Sequence, residues 1–350
     1  MNMQSYYFLI NSLTWAWAER VVTNLAKQHL SQWEKVFIFT LRDQKFYDIP
    51  NEIKYIPLAK TKKKMILLNK IYYVYKFKKY LKKYWLTEGI SLLDQSNIIH
   101  ILAKKDDATI SPRTHVSQYI WISWYFKKLA IKFFYPKAKK IIVNSRENKM
   151  ELAKFLNISE KKIEVLYNPI DKEEIQKLKE EKIEDTLLKK IYNKKVFITV
   201  SRLVYKKKIW RILNALAMYN KYDKDWIYLI LGTWDKENEL KNLAKNLWIE
   251  EKTLFLWQQK NVFKYIKYAD YFLFSSENEG FPNALLEARE LWIPIITTDF
   301  KTWAREVILW EDTNLLWKNL SYPYCWKYWI LVNKQNCSEQ MCSILNKLNN

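Results

Sequence analysis

Glycine is almost missing from this chain, and a polypeptide that must reverse direction many times cannot do so freely without it. The 350 residues hold 3 Gly and 17 Trp. An ordinary globular chain carries about 7% Gly, which at this length would be roughly 24. Glycine reaches φ > 0 at little cost and tryptophan does not. The two counts together approach the glycine expectation, and the tryptophans fall just after apolar runs and at the ends of helical stretches. The chain therefore reads as one in which most Trp positions are Gly in the source organism, through UGA codons decoded there as glycine.

Short apolar runs alternate with amphipathic stretches. Tyr7–Ile10 and Val36–Thr40 read as strands flanking a helix over Ala18–Leu30, and Ile141–Val143 and Glu164–Tyr167 flank a helix over Glu147–Leu156. Asn168-Pro169-Ile170-Asp171 breaks the pattern, because proline fixes φ and disfavours helix at the residue before it. The charged stretch from there to about Lys190 looks weakly structured. A second series then places strands at Val196–Val200, Ile227–Leu231, Leu254–Leu256, Tyr271–Phe274 and Ile295–Thr297. Its helices fall at Ile209–Tyr219, Lys236–Leu247, Val262–Tyr268 and Asn283–Arg289. Strand–helix alternation predicts parallel sheets covered by helices. Two such series predict two doubly wound α/β domains, residues 1–168 and 169–350, facing each other across a cleft.

The formal charge of +22 comes from 59 Lys plus Arg against 37 acids. Lys, Asn, Ile and Tyr are all abundant, so AT-rich codon usage accounts for part of the basicity; attraction to an anionic surface is the functional reading. Lys60–Lys83 contains ten Lys and no acid, interleaved with Ile71, Tyr72, Tyr75 and Phe77. Tyr119–Lys139 carries Trp121, Trp124, Phe126 and Phe133 among lysines. Such helices suit an anionic bilayer, and equally a solvated face with a core stripe. No recognised nucleic-acid motif occurs, and no nucleic acid is expected. Cys325, Cys337 and Cys342 have no metal spacing and are odd in number, which speaks against a disulfide framework. No apolar stretch is long enough to span a membrane, and the start lacks a signal-peptide pattern.

The most specific segment is Ser275–Glu287, SSENEGFPNALLE. It follows an apolar strand and leads into a helix. Gly280 and Pro282 make a turn, Asn283 is placed to cap the helix, and the helix amides suit a phosphate or sugar hydroxyl. Glu279 precedes the turn, and Glu287, one turn inside the helix, can accept hydrogen bonds from a vicinal diol. Arg202, with Lys207 five residues on, follows the first strand of the second series. Two fixed cations there would stabilise negative charge, but the spacing alone carries little information. Lys206 and Lys208 leave open which lysine acts.

These strings resemble the signature of the retaining GT-B glycosyltransferases of family 4, of the bacterial cell-surface polysaccharide type. The resemblance implies that Arg202 and Lys207 grip the diphosphate, that Glu279 meets the donor sugar and that Glu287 binds a ribose. It places Gly280, Phe281, Pro282 and Asn283 around the sugar and diphosphate. It also implies a glycine-rich loop at Trp15-Ala16-Trp17, ahead of matching Ala18-Glu19-Arg20, and a nucleobase near Trp257. His115, after a strand, would face the donor sugar. Trp234, Trp248, Trp292, Trp303 and Trp329 occupy further glycine positions of the pattern. Family members send a last helix back to the first domain, and stopping at Asn350 implies that this return helix is missing.

The expectation is thus an enzyme that moves a hexose or N-acetylhexosamine from a UDP- or GDP-linked sugar to a glycan or polyprenyl-linked acceptor, with retention. No cofactor or metal beyond the donor is implied, and the expected location is the cytoplasm, at the inner face of the cell membrane. The alternative is a non-catalytic sugar-nucleotide or membrane-surface binding protein whose cleft is plugged by literal indoles.

Overall fold

The computed structural model describes residues 4–14, 17–32, 34–46, 48–59, 67–113, 125–233, 235–277, 279, 281–300, 302–309, 320–326 and 329–348. The side chains of 17, 67–69, 302, 303 and 326 lie outside that description. The chain forms two compact units, residues 1–169 and 170–350.

In the first unit the elements run β1 (Ser5–Ile10), α1 (Trp17–Ser31), β2 (Lys35–Thr40), β3 (Lys54–Pro57), α2 (Leu67–Lys83) and β4 (Glu88–Leu92). They continue with α3 (Asp94–Lys104), β5 (Thr109–Ser111), α4 (Tyr125–Phe134), β6 (Lys140–Val143), α5 (Arg146–Leu156) and β7 (Ile163–Val165). The strands form one parallel sheet in the order β3-β2-β1-β4-β5-β6-β7. Phe8 and Ile10 pack with Val21, Val22 and Leu25 of α1, while Tyr7 and Leu9 pack with Tyr73, Phe77 and Leu81 of α2. Period-2 alternation in a strand thus meets period-4 spacing in the helices, which buries both faces of the sheet.

The second unit begins with α6 (Lys172–Leu178) and α7 (Asp185–Ile191), then β8 (Lys195–Val200), α8 (Ile209–Tyr219), β9 (Trp226–Leu231), α9 (Glu237–Asn246) and β10 (Thr253–Phe255). It continues with α10 (Phe263–Ile266), β11 (Tyr271–Phe274), α11 (Asn283–Glu290), β12 (Ile295–Thr298), α12 (Thr302–Ile308), β13 (Tyr324–Trp326), β14 (Trp329–Val332) and α13 (Cys337–Lys347). The sheet order is β10-β9-β8-β11-β12-β14-β13, parallel except for the β13–β14 pair. Both units are therefore Rossmann-like, as the alternation predicts. The stretch read as weakly structured holds two helices instead. Asp171 caps α6, its Oδ1 accepting from Glu174 N at 2.9 Å, and Ile175, Leu187 and Ile191 are buried among exposed charges.

Tryptophan occupies the positions that glycine ought to hold. Among the described residues, four of the nine non-glycine residues with positive φ are Trp: Trp85 at 53°, Trp248 at 57°, Trp257 at 60° and Trp292 at 58°. Three of them end helices in the same way. Leu86 N bonds Leu81 O and Trp85 N bonds Lys82 O; Ile249 N bonds Ala244 O and Trp248 N bonds Lys245 O; Ile293 N bonds Ala288 O and Trp292 N bonds Arg289 O. This paired 6→1 and 5→2 pattern calls for a left-handed residue, usually Gly and sometimes Asn. α5 closes identically with Asn157 at φ 54°. The pattern does not extend to every Trp. Trp226 is fully buried in β9, Trp329 is buried as the first residue of β14, and Trp303 lies in the first turn of α12 rather than in a loop.

A buried polar chain crosses the first unit. His100 of α3 sits between Tyr7 Oη at 2.8 Å and Ser91 Oγ at 3.0 Å. Ser91 donates to Asn97 Oδ1 at 2.9 Å, Asn97 donates to Tyr135 Oη at 3.1 Å, and Tyr135 donates to Asp94 Oδ1 at 2.6 Å. Burial, aided by nearby Lys104, pushes His100 down to about 3 from an ordinary value of 6.5. Its folded pKa lies below its unfolded one, so its contribution is intact above about pH 6.5 and is lost as pH falls from there toward about 3. Denaturant unfolding of His100→Gln should therefore show a shallower stability slope than wild type between these limits. The difference should approach one proton, about 1.4 kcal/mol per pH unit. Equal slopes would mean that His100 does not titrate on unfolding.

Candidate active site

Open α/β sheets bind ligands beyond the carboxyl ends of their strands. In the second unit β8 and β11 are direct neighbours, Phe197 opposite Tyr271 and Ile198 opposite Phe272. The segments leaving these two strands hold most of the residues the sequence singles out. After β8 come Ser201, Arg202 and Leu203, then a 3₁₀ turn over Tyr205–Lys207, and α8 begins at Ile209. After β11 come Ser275, Ser276, Glu277 and Glu279, and α11 begins at Asn283.

The two segments are fastened together. Ser275 Oγ donates to Lys207 O at 2.9 Å and to Lys208 O at 2.8 Å, and Glu277 N donates to Lys206 O at 3.0 Å. Thr298 Oγ1, at the end of β12, donates to Ser276 O at 2.6 Å. The turn after β9 closes over the same edge. Gly232 has φ 139°, and a Cβ there would stand 1.9 Å from Ser201 O, so this position must be glycine. Gly232 N bonds Trp257 O at 2.8 Å, which holds the turn after β10 against that after β9.

This fastening decides which lysine meets Glu279. Lys207 points inward: its Nζ lies 2.6 Å from Glu279 Oε1, with both side chains nine-tenths buried. Ser276 Oγ donates to the same Glu279 oxygen at 2.5 Å. Lys208 is buried as well, but its Nζ meets a different carboxylate, 3.3 Å from Glu277 Oε2, and lies over the Tyr205 ring. Burial alone would raise the Glu279 carboxyl, but Lys207 and Lys206, with the hydrogen bonds from Lys207 and Ser276, together hold it below its ordinary range. Burial pushes Lys207 down, Glu279 offsets part of that, and the charges of Lys206 and Arg202 push it further. Three cations crowded at one strand edge make an electropositive, partly dry position suited to a polyanion.

Glu287 lies four residues after Asn283 on the same helix face, and both are buried. Asn283 is not the cap. Pro282 occupies the cap position in extended conformation, with φ −80°, and α11 starts at Asn283, so that residue already has helical geometry. Phe281 is buried. Trp257 is half exposed, with Lys241 Nζ 4.6 Å from its ring centre. In the first unit Trp17 is the first residue of α1. Trp15, Ala16, His115, Trp234 and Gly280 lie outside the described residues.

Sequence reasoning missed Ser275 and Ser276 as the fasteners, although two serines directly after an apolar strand were the available signal. It also missed the link between Asp299, at the end of β12, and α12. Arg305 donates to Asp299 Oδ2 from Nε at 2.9 Å and from Nη2 at 2.6 Å, and Tyr322 Oη joins the same oxygen. That carboxylate anchors the loop next to Ser276.

Two Rossmann-like units, the second carrying a buried Lys–Glu pair and a further Arg at its strand ends, define a GT-B glycosyltransferase. Residues 179–320 match the family described as Glycosyl transferases group 1, and residues 18–174 match Glycosyltransferase Family 4. The chain is 32% identical over 325 residues to an N-acetylgalactosamine-N,N'-diacetylbacillosaminyl-diphospho-undecaprenol 4-alpha-N-acetylgalactosaminyltransferase of Campylobacter jejuni, covering 90% of this chain and 86% of that protein. Among solved structures it resembles the lipopolysaccharide outer core galactosyltransferase WaaB, with TM-score 0.63 and 23% identity over 85% of this chain and 81% of that one. It also resembles Anabaena HepE, solved in complex with UDP, with TM-score 0.72 and 14% identity over 99% and 90% of the two chains. The chain belongs to the group 1 glycosyltransferases.

Proposed function

We propose that this glycosyltransferase moves a hexose or N-acetylhexosamine from a UDP- or GDP-linked donor to a glycan or polyprenyl-linked acceptor, with retention at the anomeric carbon. The observation that carries the reading is the buried Lys207–Glu279 pair, 2.6 Å apart, with Arg202 beside it. In this reading Arg202 and Lys207 neutralise the diphosphate, Glu279 accepts from hydroxyls of the donor sugar, and buried Glu287 serves the ribose. The C1–O bond breaks with its electron pair leaving on the phosphate oxygen. The acceptor hydroxyl attacks from the same face and passes its proton to that oxygen. The cations and helix amides supply the charge stabilisation, so the reading calls for no metal. The Campylobacter relative's name specifies a diphospho-undecaprenol acceptor, and HepE was solved with UDP.

Anchorage at an anionic bilayer belongs to the same reading. No helix among the described residues is long and apolar enough to cross a membrane. α2 buries Tyr73, Phe77 and Leu81 and exposes Ile71, Tyr72 and Tyr75 among lysines, while α4 exposes Tyr125, Phe126, Leu129 and Phe133. Apolar side chains within a basic surface suit the interfacial region of anionic lipid.

A donor screen tests the proposal. Protein with glycine restored at the loop positions 15 and 17 is incubated with UDP- and GDP-sugars and polyprenyl-diphosphate saccharides. The expected result is transfer from one nucleotide-sugar class, with the donor's anomeric configuration kept in the product by NMR. An inverted product overturns retention, and turnover of no nucleotide-sugar overturns the donor assignment.

A further inference from the structure

In the first unit, the described side chains that bury a polar atom without a partner are Glu19 (Oε2), Arg42 (Nε), Arg113 (Nε and Nη2), Asn144 (Oδ1) and Asn148 (Oδ1). Every one of them lies on a segment leaving the carboxyl end of a strand: β1, β2, β5 or β6. An unmade buried hydrogen bond costs about 1–3 kcal/mol, and native proteins keep few of them. Their concentration at the ligand-binding edge of a parallel sheet points to a ligand rather than to loose packing.

Arg113 carries the most specific information. It stands two residues beyond β5, and its Nη1 donates to Asn168 Oδ1, beyond β7, at 2.5 Å. In the sheet β6 lies between β5 and β7, so the guanidinium bridges the end of β6, where Asn144 and Asn148 sit. Burial lowers its pKa to about 10, and no carboxylate offsets its charge among the described residues. Its unused donors, Nε and Nη2, form the edge with which a guanidinium grips an oxyanion through two parallel bonds. The open acceptors beside it, on Asn144 and Asn148 at the end of β6, suit hydroxyl groups.

We propose that this edge is an acceptor subsite in which Arg113 holds an oxyanion, a phosphate or a carboxylate, of a hydroxylated acceptor. The word acceptor rests on the transferase reading; the oxyanion site does not. Equilibrium binding of inorganic pyrophosphate is measured for wild type and Arg113→Gln, with and without saturating UDP. Wild type is expected to keep a pyrophosphate-binding component that UDP does not displace. Arg113→Gln should weaken that component about ten-fold or more, the loss of one charge-assisted pair, while binding UDP like wild type. Absence of the component from wild type, or its persistence in Arg113→Gln, overturns the site. If UDP fails to bind wild type, the donor reading falls, and the arginine-dependent component is still read from the difference between the two proteins. Glucuronate competition identifies the source: competition indicates a carboxylate and its failure a phosphate, and both outcomes support the site. Arg113→Met guards against a merely structural role. A buried, unoffset charge predicts an equal or higher melting temperature for this variant without ligand, whereas a lower one would make Arg113 a brace and overturn the proposal.

Discussion

Lys207→Ala is expected to lower the turnover of sugar transfer by about 10²–10³, the usual cost of removing one preorganised group that stabilises transition-state charge. The effect belongs in kcat, because negative charge on the diphosphate grows as the glycosidic bond breaks. Glu279→Gln should lower turnover as well, by losing a carboxylate acceptor for the donor sugar. Both side chains are buried and share one 2.6 Å contact, so each single variant leaves the other charge without its counter-ion. Breaking such a pair costs about 3–5 kcal/mol, and loss of activity alone would not separate chemistry from folding. The double variant Lys207→Met with Glu279→Gln removes both charges and should recover most of the stability while staying inactive. Kinetics and unfolding of all three proteins read the two effects apart. Turnover within ten-fold of wild type in Lys207→Ala would sink the site assignment. The cations hold Glu279 below the ordinary carboxylate range. The pair's contribution is therefore present above the unfolded carboxylate pKa and is lost only as pH falls through the lowered folded value.

The second large effect has the opposite sign. Trp85→Gly, Trp248→Gly, Trp257→Gly and Trp292→Gly should each stabilise the protein, and the combined variant should melt several degrees higher. A side chain held in the left-handed region costs about 1–2 kcal/mol, offset in part by glycine's greater freedom when unfolded. Little burial is lost in exchange, because these indoles are 87%, 90%, 56% and 73% exposed. Trp226 is the contrast. It is 0% exposed and its ring centre stands 6.1 Å from that of Phe197, so Trp226→Gly should cost about 3–5 kcal/mol, as large-to-small core changes do. Thermal unfolding of the five single variants and the combined one checks both signs. The recoding reading adds a genetic expectation: UGA codons at 85, 248, 257 and 292. UGG codons there would defeat it.

Most of the architecture was legible in the sequence because it is written locally. β9 and β11 are continuous apolar runs of four or more residues, and such runs between turn residues mark strands buried on both faces. β3, β5 and β13 were harder, at three or four residues each. α6 and α7 escaped because each buries only one or two apolar side chains among many charges. The string from Ser275 to Glu287 announced the site, since a strand, a turn and a helix start follow one another within a few residues.

The sequence by itself determined the alternation of strands and helices, the two series and the two segments that form the candidate site. It also determined the glycine deficit, whose places at helix ends are set by local backbone closure. Only the tertiary structure decided which of three consecutive lysines faces the carboxylate. Lys206, Lys207 and Lys208 are equivalent as residues, and they differ because Ser275, 67 positions away from Lys208, holds the turn so that Lys207 reaches Glu279 while Lys208, equally buried, reaches Glu277. The same holds for Arg113, Asn144 and Asn168. Three short strands, far apart in the chain, bring them to one edge, and the charge of that edge follows from which partners the fold withholds.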